Sequence, residues 1–228
     1  VMQFGEGNFL RAFVDYWFDV SNEKAGWCGK CVLVQPIANG LTTLINEQDG
    51  LYTLYLRGRQ NGEKVDEKRV ISSVSRCLTP YDEQDFKSLM QLAASPDLEY
   101  VISNTTEAGI AFDDTCKFDD RPASSFPGKL CQVLHMRWKA GQDGLVILSC
   151  ELIDNNGKEL LKCVKQYVEL WDLETDFAKW LDEKCTFCST LVDRIVPGRI
   201  RDEQEIAKLE TENCYHDELI DVCEIFGV

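Results

Sequence analysis

Val1-Met2-Gln3-Phe4-Gly5-Glu6-Gly7-Asn8-Phe9-Leu10-Arg11-Ala12-Phe13 opens the chain, and the reading of this stretch decides the fold. An apolar, strand-like start from Val1 to Phe4 runs into Gly5-x-Gly7, and an amphipathic run continues from Asn8 to Val20. Strand, tight glycine turn and helix in that order predict a cradle for the phosphates of a dinucleotide. Gly5 permits the tight turn, and Gly7 lets a pyrophosphate approach the backbone at the positive helix end. Asn8 is the expected helix cap. Phe9, Phe13, Tyr16 and Trp17 recur at three and four and are expected to form a buried stripe. The third glycine of the usual fingerprint is Leu10 here, and an ordinary strand-to-helix turn would carry the same two glycines.

Working outward, Cys31-Val-Leu-Val-Gln-Pro36 reads as a short buried strand stopped by its proline. Gln35, at its end, is placed to reach a ribose. Leu51 to Leu56 alternates like a strand, Gly58 to Lys68 reads as a charged hairpin-like loop, and Arg69 to Cys77 is strand-like again. Together they predict an antiparallel insertion. A helix is expected over 82–94 with Asp82 near its start and Phe86, Leu89, Met90 and Ala93 on one face. Glu99 to Ser103 is a buried strand, and Asn104-Thr105-Thr106-Glu107-Ala108-Gly109 follows its carboxyl end, where open α/β sheets bind ligands. Thr106 and Glu107 also suit plain helix capping. A helix is expected over 128–139, with His135 packed rather than catalytic. Leu145 to Ser149 is another buried strand, followed by the turn Cys150 to Gly157, one long or broken helix over 158–183, and an acidic solvated helix over 201–212.

The totals exclude several classes. A length of 228 residues with 44% hydrophobic content can fill a core. A net charge of -15 argues against nucleic-acid or membrane-surface partners. No apolar run approaches the roughly 20 residues of a membrane helix, and no secretory pattern is present, so a cytoplasmic protein is expected. The 11 cysteines are scattered singly through apolar segments, where thiols act as small hydrophobes. Cys28/Cys31 and Cys185/Cys188 have zinc-like spacing. Their distance apart in sequence, and the position of the first pair before rather than after a strand, argue against metal or thiol chemistry. No metal is expected.

Four segments, in order, carry a resemblance: Phe4 to Phe13, Ser103 to Gly109, Ser149 to Gly157 and Cys188 to Pro197. Together they make the chain similar to the mannitol dehydrogenase family, the polyol-specific long-chain dehydrogenases. Cys150-Glu-Leu-Ile-Asp154 and the stretch 35–41 look closest to the branch that reduces tagaturonate to altronate; branches acting on fructuronate or mannitol are the alternatives. The resemblance implies a Rossmann-like, doubly wound α/β sheet over residues 1–200 with the antiparallel β insertion. Residues 201–228 would be an acidic helix and tail leading to a C-terminal helical substrate domain absent from this chain. It also implies hydride transfer with NAD(H) on a hexuronate or polyol, with a catalytic lysine supplied by the absent domain. The expected cofactor contacts are Phe4, Gly5, Gly7, Asn8, Phe9, Gln35, Asn104, Thr106 and Glu107. In mannitol dehydrogenases an asparagine in the turn after 149 polarises the carbonyl. Leu152 stands there, leaving Asn155 or Asn156 as substitutes, with Asn156-Gly157 also readable as the turn before the helix, while Glu151 matches the family's acidic position and is a separate candidate. Asp193, within apolar Leu191 to Pro197, is expected to support the substrate cleft, the alternative being a buried contact with Arg194. The absence of Lys or Arg from 35 to 56 predicts NAD(H) over NADP(H). A nucleotide-binding module without catalysis is the reading from another class.

Overall fold

Short apolar runs bounded by turn residues become the strands of the principal sheet in the computed structural model, which describes residues 1–106 and 108–227. The elements run β1 (Met2–Phe4), α1 (Asn8–Lys24), β2 (Cys31–Val34), α2 (Thr42–Glu47), β3 (Tyr52–Gln60), β4 (Glu63–Ile71), β5 (Val74–Leu78) and α3 (Glu83–Ala93). They continue through β6 (Tyr100–Ser103), α4 (Phe126–Lys139), β7 (Val146–Ser149), α5 (Asn156–Leu170), α6 (Thr175–Lys184), β8 (Thr186–Ser189), α7 (Glu203–Asn213) and β9 (Asp221–Glu224). One sheet has six strands in the order β5-β2-β1-β6-β7-β8, and a second has three, β4-β3-β9. With the β3–β4 hairpin and β9 set aside, the six strands follow the 3-2-1-4-5-6 pattern of doubly wound nucleotide-binding sheets.

By internal contacts the chain divides into two units. One comprises Val1–Gly5, Val34–Gly40 and Leu78–Leu191; the other comprises Glu6–Leu33, Leu41–Cys77 and Val192–Val228. In the first unit β1, β6, β7 and β8 pair in parallel with the register Met2↔Val101, Val101↔Ile147 and Ile147↔Phe187. Met2, Phe4, Val101 and Ile147 are fully buried, as expected where helices cover the faces of a parallel sheet. Helix α4 packs against α3, α5 and α6. Asp82 caps α3 by accepting from the Gln84 and Asp85 amides at 2.8 and 3.0 Å. Of the two forms expected over 158–183, one long or a broken helix, the structure has the broken one, α5 and α6, parted at Trp171 to Glu174. His135 is packed: its Nε2 lies 2.8 Å from a Glu174 carboxylate oxygen, and Phe118 and Phe177 meet its ring edge-on.

In the second unit the antiparallel insertion is a hairpin with register Tyr52↔Ile71 through Gln60↔Glu63. Its loop is only Asn61-Gly62, both at positive φ (54° and 85°), so the charged stretch 58–68 is mostly strand. The strand-like run 69–77 splits between β4 and β5. After α7, residues 221–224 form β9, which lies parallel to β3 with Leu54↔Asp221, where the sequence alone shows only an acidic tail. Tyr55, Ile200, Leu209 and Ile220 form a small core beneath α7.

Helix α1 departs from expectation. Phe9, Phe13 and Tyr16 are half-buried and Trp17 is 43% exposed, while Leu10, Arg11, Ala12, Val14, Asp15 and Asp19 are buried. The aromatic stripe exists but faces outward. What turns the helix is the set of partners waiting for its charged face. Arg11 donates to the Leu219 carbonyl at 2.9 Å and lies 3.5 Å from Asp221, and the Tyr52 hydroxyl donates to the Arg11 carbonyl at 2.7 Å. A buried guanidinium is tolerated only with such partners.

Candidate functional site

In the first unit, three backbone bonds bring the carboxyl ends of four strands together. The Gly5 amide donates to Val34 (3.0 Å), the Asn104 amide to Phe4 (3.1 Å) and the Cys150 amide to Ser103 (2.8 Å). Gly5 has φ 116°, a conformation that favours glycine, so the tight turn after β1 requires that residue. Phe4 is fully buried, its ring centroid 5.0 Å from that of Phe126 at the start of α4. Gln35 is 3% exposed. Its amide donates to Leu78 at 2.8 Å, and its side-chain nitrogen donates to the Ile37 carbonyl at 2.8 Å.

Beyond β6, the Asn104 side chain donates to the Cys150 carbonyl at 3.0 Å, tying that loop to the turn after β7. Glu151 makes the tie firm. It is 2% exposed and accepts from the Thr105 amide (3.0 Å), the Thr105 hydroxyl (3.1 Å) and the Ser103 hydroxyl (3.2 Å). Sequence reasoning offered Glu151 only as a match to the family's acidic position; three convergent donors from residues 46 and 48 positions earlier have no local signal. Thr106 is exposed with φ 69°, a strained conformation for a β-branched residue of the kind that concentrates at ligand sites. Glu107, the neighbouring candidate, lies outside the described residues.

The turn after β7 separates the two asparagine candidates. Asn156 is buried and its side chain is fully used: Nδ2 donates to the Glu151 and Thr190 carbonyls (2.9 and 3.1 Å), and Oδ1 accepts from the Gly157 and Thr190 amides (2.8 and 3.0 Å). It locks β7 to β8 and has no hydrogen-bonding capacity left for a ligand. Asn155 is exposed, at φ 54°, and precedes α5 without a side-chain capping bond. Leu152 is 66% exposed. A Cβ on Gly157 would sit 2.4 Å from the Cys188 carbonyl oxygen, so α5 approaches β8 as closely as glycine permits.

In the second unit, Gly7 is the N-cap of α1, with φ -70° and no side-chain capping bond, so the cap is Gly7 rather than Asn8. The Asn8 side chain instead accepts from Arg11 at 2.7 Å. Gly7 is exposed, and a Cβ there would meet nothing within 4 Å. The first-turn amides of a 17-residue helix thus carry no protein side chain as cap, the arrangement that binds anions. Glu6, between the glycines, is 7% exposed; burial raises its pKa, offset by hydrogen bonds with its own and the Leu41 backbone and by Arg11. Phe9 is half-buried and stacks on Phe13 at 5.4 Å. Asp193 is exposed. Arg194 is 6% exposed, donating to the Ala12 carbonyl at 2.7 Å and to the Glu224 carbonyl at 3.0 and 3.1 Å. The cost of a charge in the Leu191 to Pro197 segment therefore falls on Arg194, and backbone carbonyls meet it.

Among the described residues no group of His, Cys, Asp and Glu could hold a metal ion. Among the same residues no helix is long and apolar enough to cross a membrane.

A family model described as the mannitol dehydrogenase Rossmann domain matches residues 1–227. The altronate oxidoreductase of Phocaeicola vulgatus is 47% identical over 230 residues, covering 99% of this chain and 47% of that protein. That of Bacillus subtilis is 44% identical over 228 residues, covering 98% and 47%. Among solved structures, Pseudomonas fluorescens mannitol 2-dehydrogenase, in a ternary complex with NAD and D-mannitol, aligns with a TM-score of 0.83. It is 25% identical, and the alignment covers 99% of this chain and 47% of that one. The chain spans about half the length of the relatives it matches.

Proposed function

Because the chain belongs to the mannitol dehydrogenase family, as its Rossmann domain, we propose that it is the cofactor-binding part of an NAD(H)-dependent oxidoreductase that interconverts tagaturonate and altronate. The observation that carries the reading is the Gly5-Glu6-Gly7 turn: a left-handed glycine ends β1, and two residues later an exposed glycine caps α1 with open space in front of it. A pyrophosphate fits that vacancy, and the uncapped amides supply its donors. Asn104 and Thr106 lie just past β6, where the nicotinamide half of a dinucleotide runs in such sheets, and Glu151 holds their loop in place.

When bound, the nicotinamide supplies or accepts the hydride. This chain's residues bind the phosphates, fix the loop against which the ring lies, and present Asn155 and Asp193 as candidates for substrate contacts. The group that moves the proton is assigned to the half of the relatives that this chain does not span.

Preference for NAD(H) follows from where the cations are. Arg11 is the first cation after the glycine turn, and Arg57 the first after the end of the second strand. Arg11 is held by the Leu219 carbonyl and Asp221, and Arg57 by Asp66 and Glu205 at 3.0 and 2.6 Å. Neither is spare for a 2′-phosphate. Calorimetric titration at one ionic strength tests both parts. NADH is expected to saturate the chain, with NADPH roughly tenfold weaker or more, the worth of about one lost charged hydrogen bond. No saturable NADH binding would overturn the assignment; equal NADPH binding would overturn the preference. The substrate is tested with the complete protein, where tagaturonate should be turned over in preference to fructuronate and fructose.

A further inference from the structure

Helix α1 presents a run of aromatic rings to the outside of its unit. The rings pack on one another, Phe9 on Phe13 at 5.4 Å and Tyr16 against Trp17 at 5.0 Å, with Trp17 43% exposed. The helix cannot roll to hide them. Rolling would strip Arg11 of the Leu219 carbonyl and Asp221, and would break the contact between the Tyr52 hydroxyl and Asp15 at 3.3 Å. Large rings held partly in solvent along one side of a helix are apolar surface available to a partner.

Three observations say what covers it. Arg194 lies over the Tyr16 ring at 4.7 Å, and its Cδ is 3.2 Å from where a Cβ on Gly227 would sit, so the last described residues run beside this face. The relatives are about twice as long as this chain. A second copy is disfavoured by charge, since two chains of net charge -15 repel.

We propose that the face of α1 formed by Phe13, Tyr16 and Trp17 is the docking surface for the polypeptide that follows residue 228 in the complete protein, which lays apolar side chains on these rings. The proposal rests on the reading above, that this chain is the cofactor half of a longer oxidoreductase. The patch is the apolar centre of the contact, since a stable interface needs about 800 Å² per side.

Hydroxyl-radical footprinting of the 228-residue chain and of the product of the complete reading frame tests it. Oxidation of Phe13, Tyr16 and Trp17 should fall roughly fivefold in the longer protein, as side chains at an interface core become fully buried. Trp17→Glu should lower the melting midpoint of the longer protein by about 5 °C and that of the 228-residue chain by about 1 °C or less. Equal oxidation in the two forms, or a reading frame ending at 228, overturns the proposal. So does a 228-residue chain that sediments as a dimer until Phe13→Glu breaks it, which would assign the face to a second copy. NADH titration of the 228-residue chain separates the two readings. Binding with an unchanged footprint sinks the docking surface alone, and a protected footprint without NADH binding sinks the functional reading alone.

Discussion

Replacing Gly7 by valine separates the fold from the cofactor site. At φ -70° Gly7 is in a conformation any residue adopts, and a Cβ would touch nothing within 4 Å, so the substitution meets no clash inside the protein. The loss at the helix cap is under about 1 kcal/mol, because valine is a poor cap but glycine contributes no side-chain bond either. That corresponds to a fall in melting midpoint of roughly 2–4 °C. The ligand fares differently. The isopropyl group fills the space in front of the first-turn amides and forces the pyrophosphate away from one or two charge-assisted hydrogen bonds. That loss is about 2–4 kcal/mol, or roughly 30- to 1000-fold in the dissociation constant for NADH. Calorimetry at fixed salt reads the affinity and a thermal melt reads the fold. A Gly7→Val chain that melts within a few degrees of wild type and binds NADH equally well would show that the phosphates lie elsewhere.

Three further outcomes are expected. Glu151→Ala leaves the Thr105 amide without its acceptor and frees the Ser103 and Thr105 hydroxyls, which should cost about 2–4 kcal/mol in urea denaturation, with Glu151→Gln losing less; a neutral alanine variant would deny the clamp. Asn156→Ala removes four bonds, two of which join the turn after β7 to Thr190 after β8, and should cost a comparable amount, read as loss of amide-exchange protection at Thr190 and Gly157. Burial pushes the Asp221 carboxyl up to about 6, with Arg11 only partly offsetting it. Because the folded pKa lies above the unfolded one, the ionised form is penalised: the penalty is absent below pH 4, grows through pH 4–6 and is complete by pH 7. Wild type should therefore lose about 3 kcal/mol relative to Asp221→Asn between pH 4 and pH 7, and a constant difference across that range would refute the assignment.

The parts of the fold that depend on local pattern were legible. Runs such as Cys31 to Val34 and Val146 to Ser149 are apolar on both sides and bounded by turns, and both became strands of the parallel sheet. Gly5 announced its positive φ, and Asp82 its cap. The four ordered segments placed the chain in a family that the matched model and the altronate oxidoreductases bear out. What failed shares one cause. Spacing shows that Phe9, Phe13, Tyr16 and Trp17 share a side of α1, but not which side faces in. That was decided by partners of Arg11 and Asp15 in β3 and β9. Likewise Asp221-Val-Cys-Glu224 has too little apolar character to announce a strand; it is one because the edge of β3 accepts it. Within the site, glycine and turn chemistry could be read, whereas Glu151 became a clamp only once β6 and β7 lay side by side.

The bond from Arg11 to the Leu219 carbonyl joins residues 208 positions apart. On a ribosome adding roughly 5–20 residues per second, about 10–40 s separate the synthesis of the arginine from that of its acceptor. Throughout that interval the guanidinium lacks the partner that lets it be buried, and the edge of β3 that will receive β9 stands open to other chains. The newborn polypeptide is thus most vulnerable to aggregation through its first third, and a pause late in translation would lengthen that exposure more than one early on.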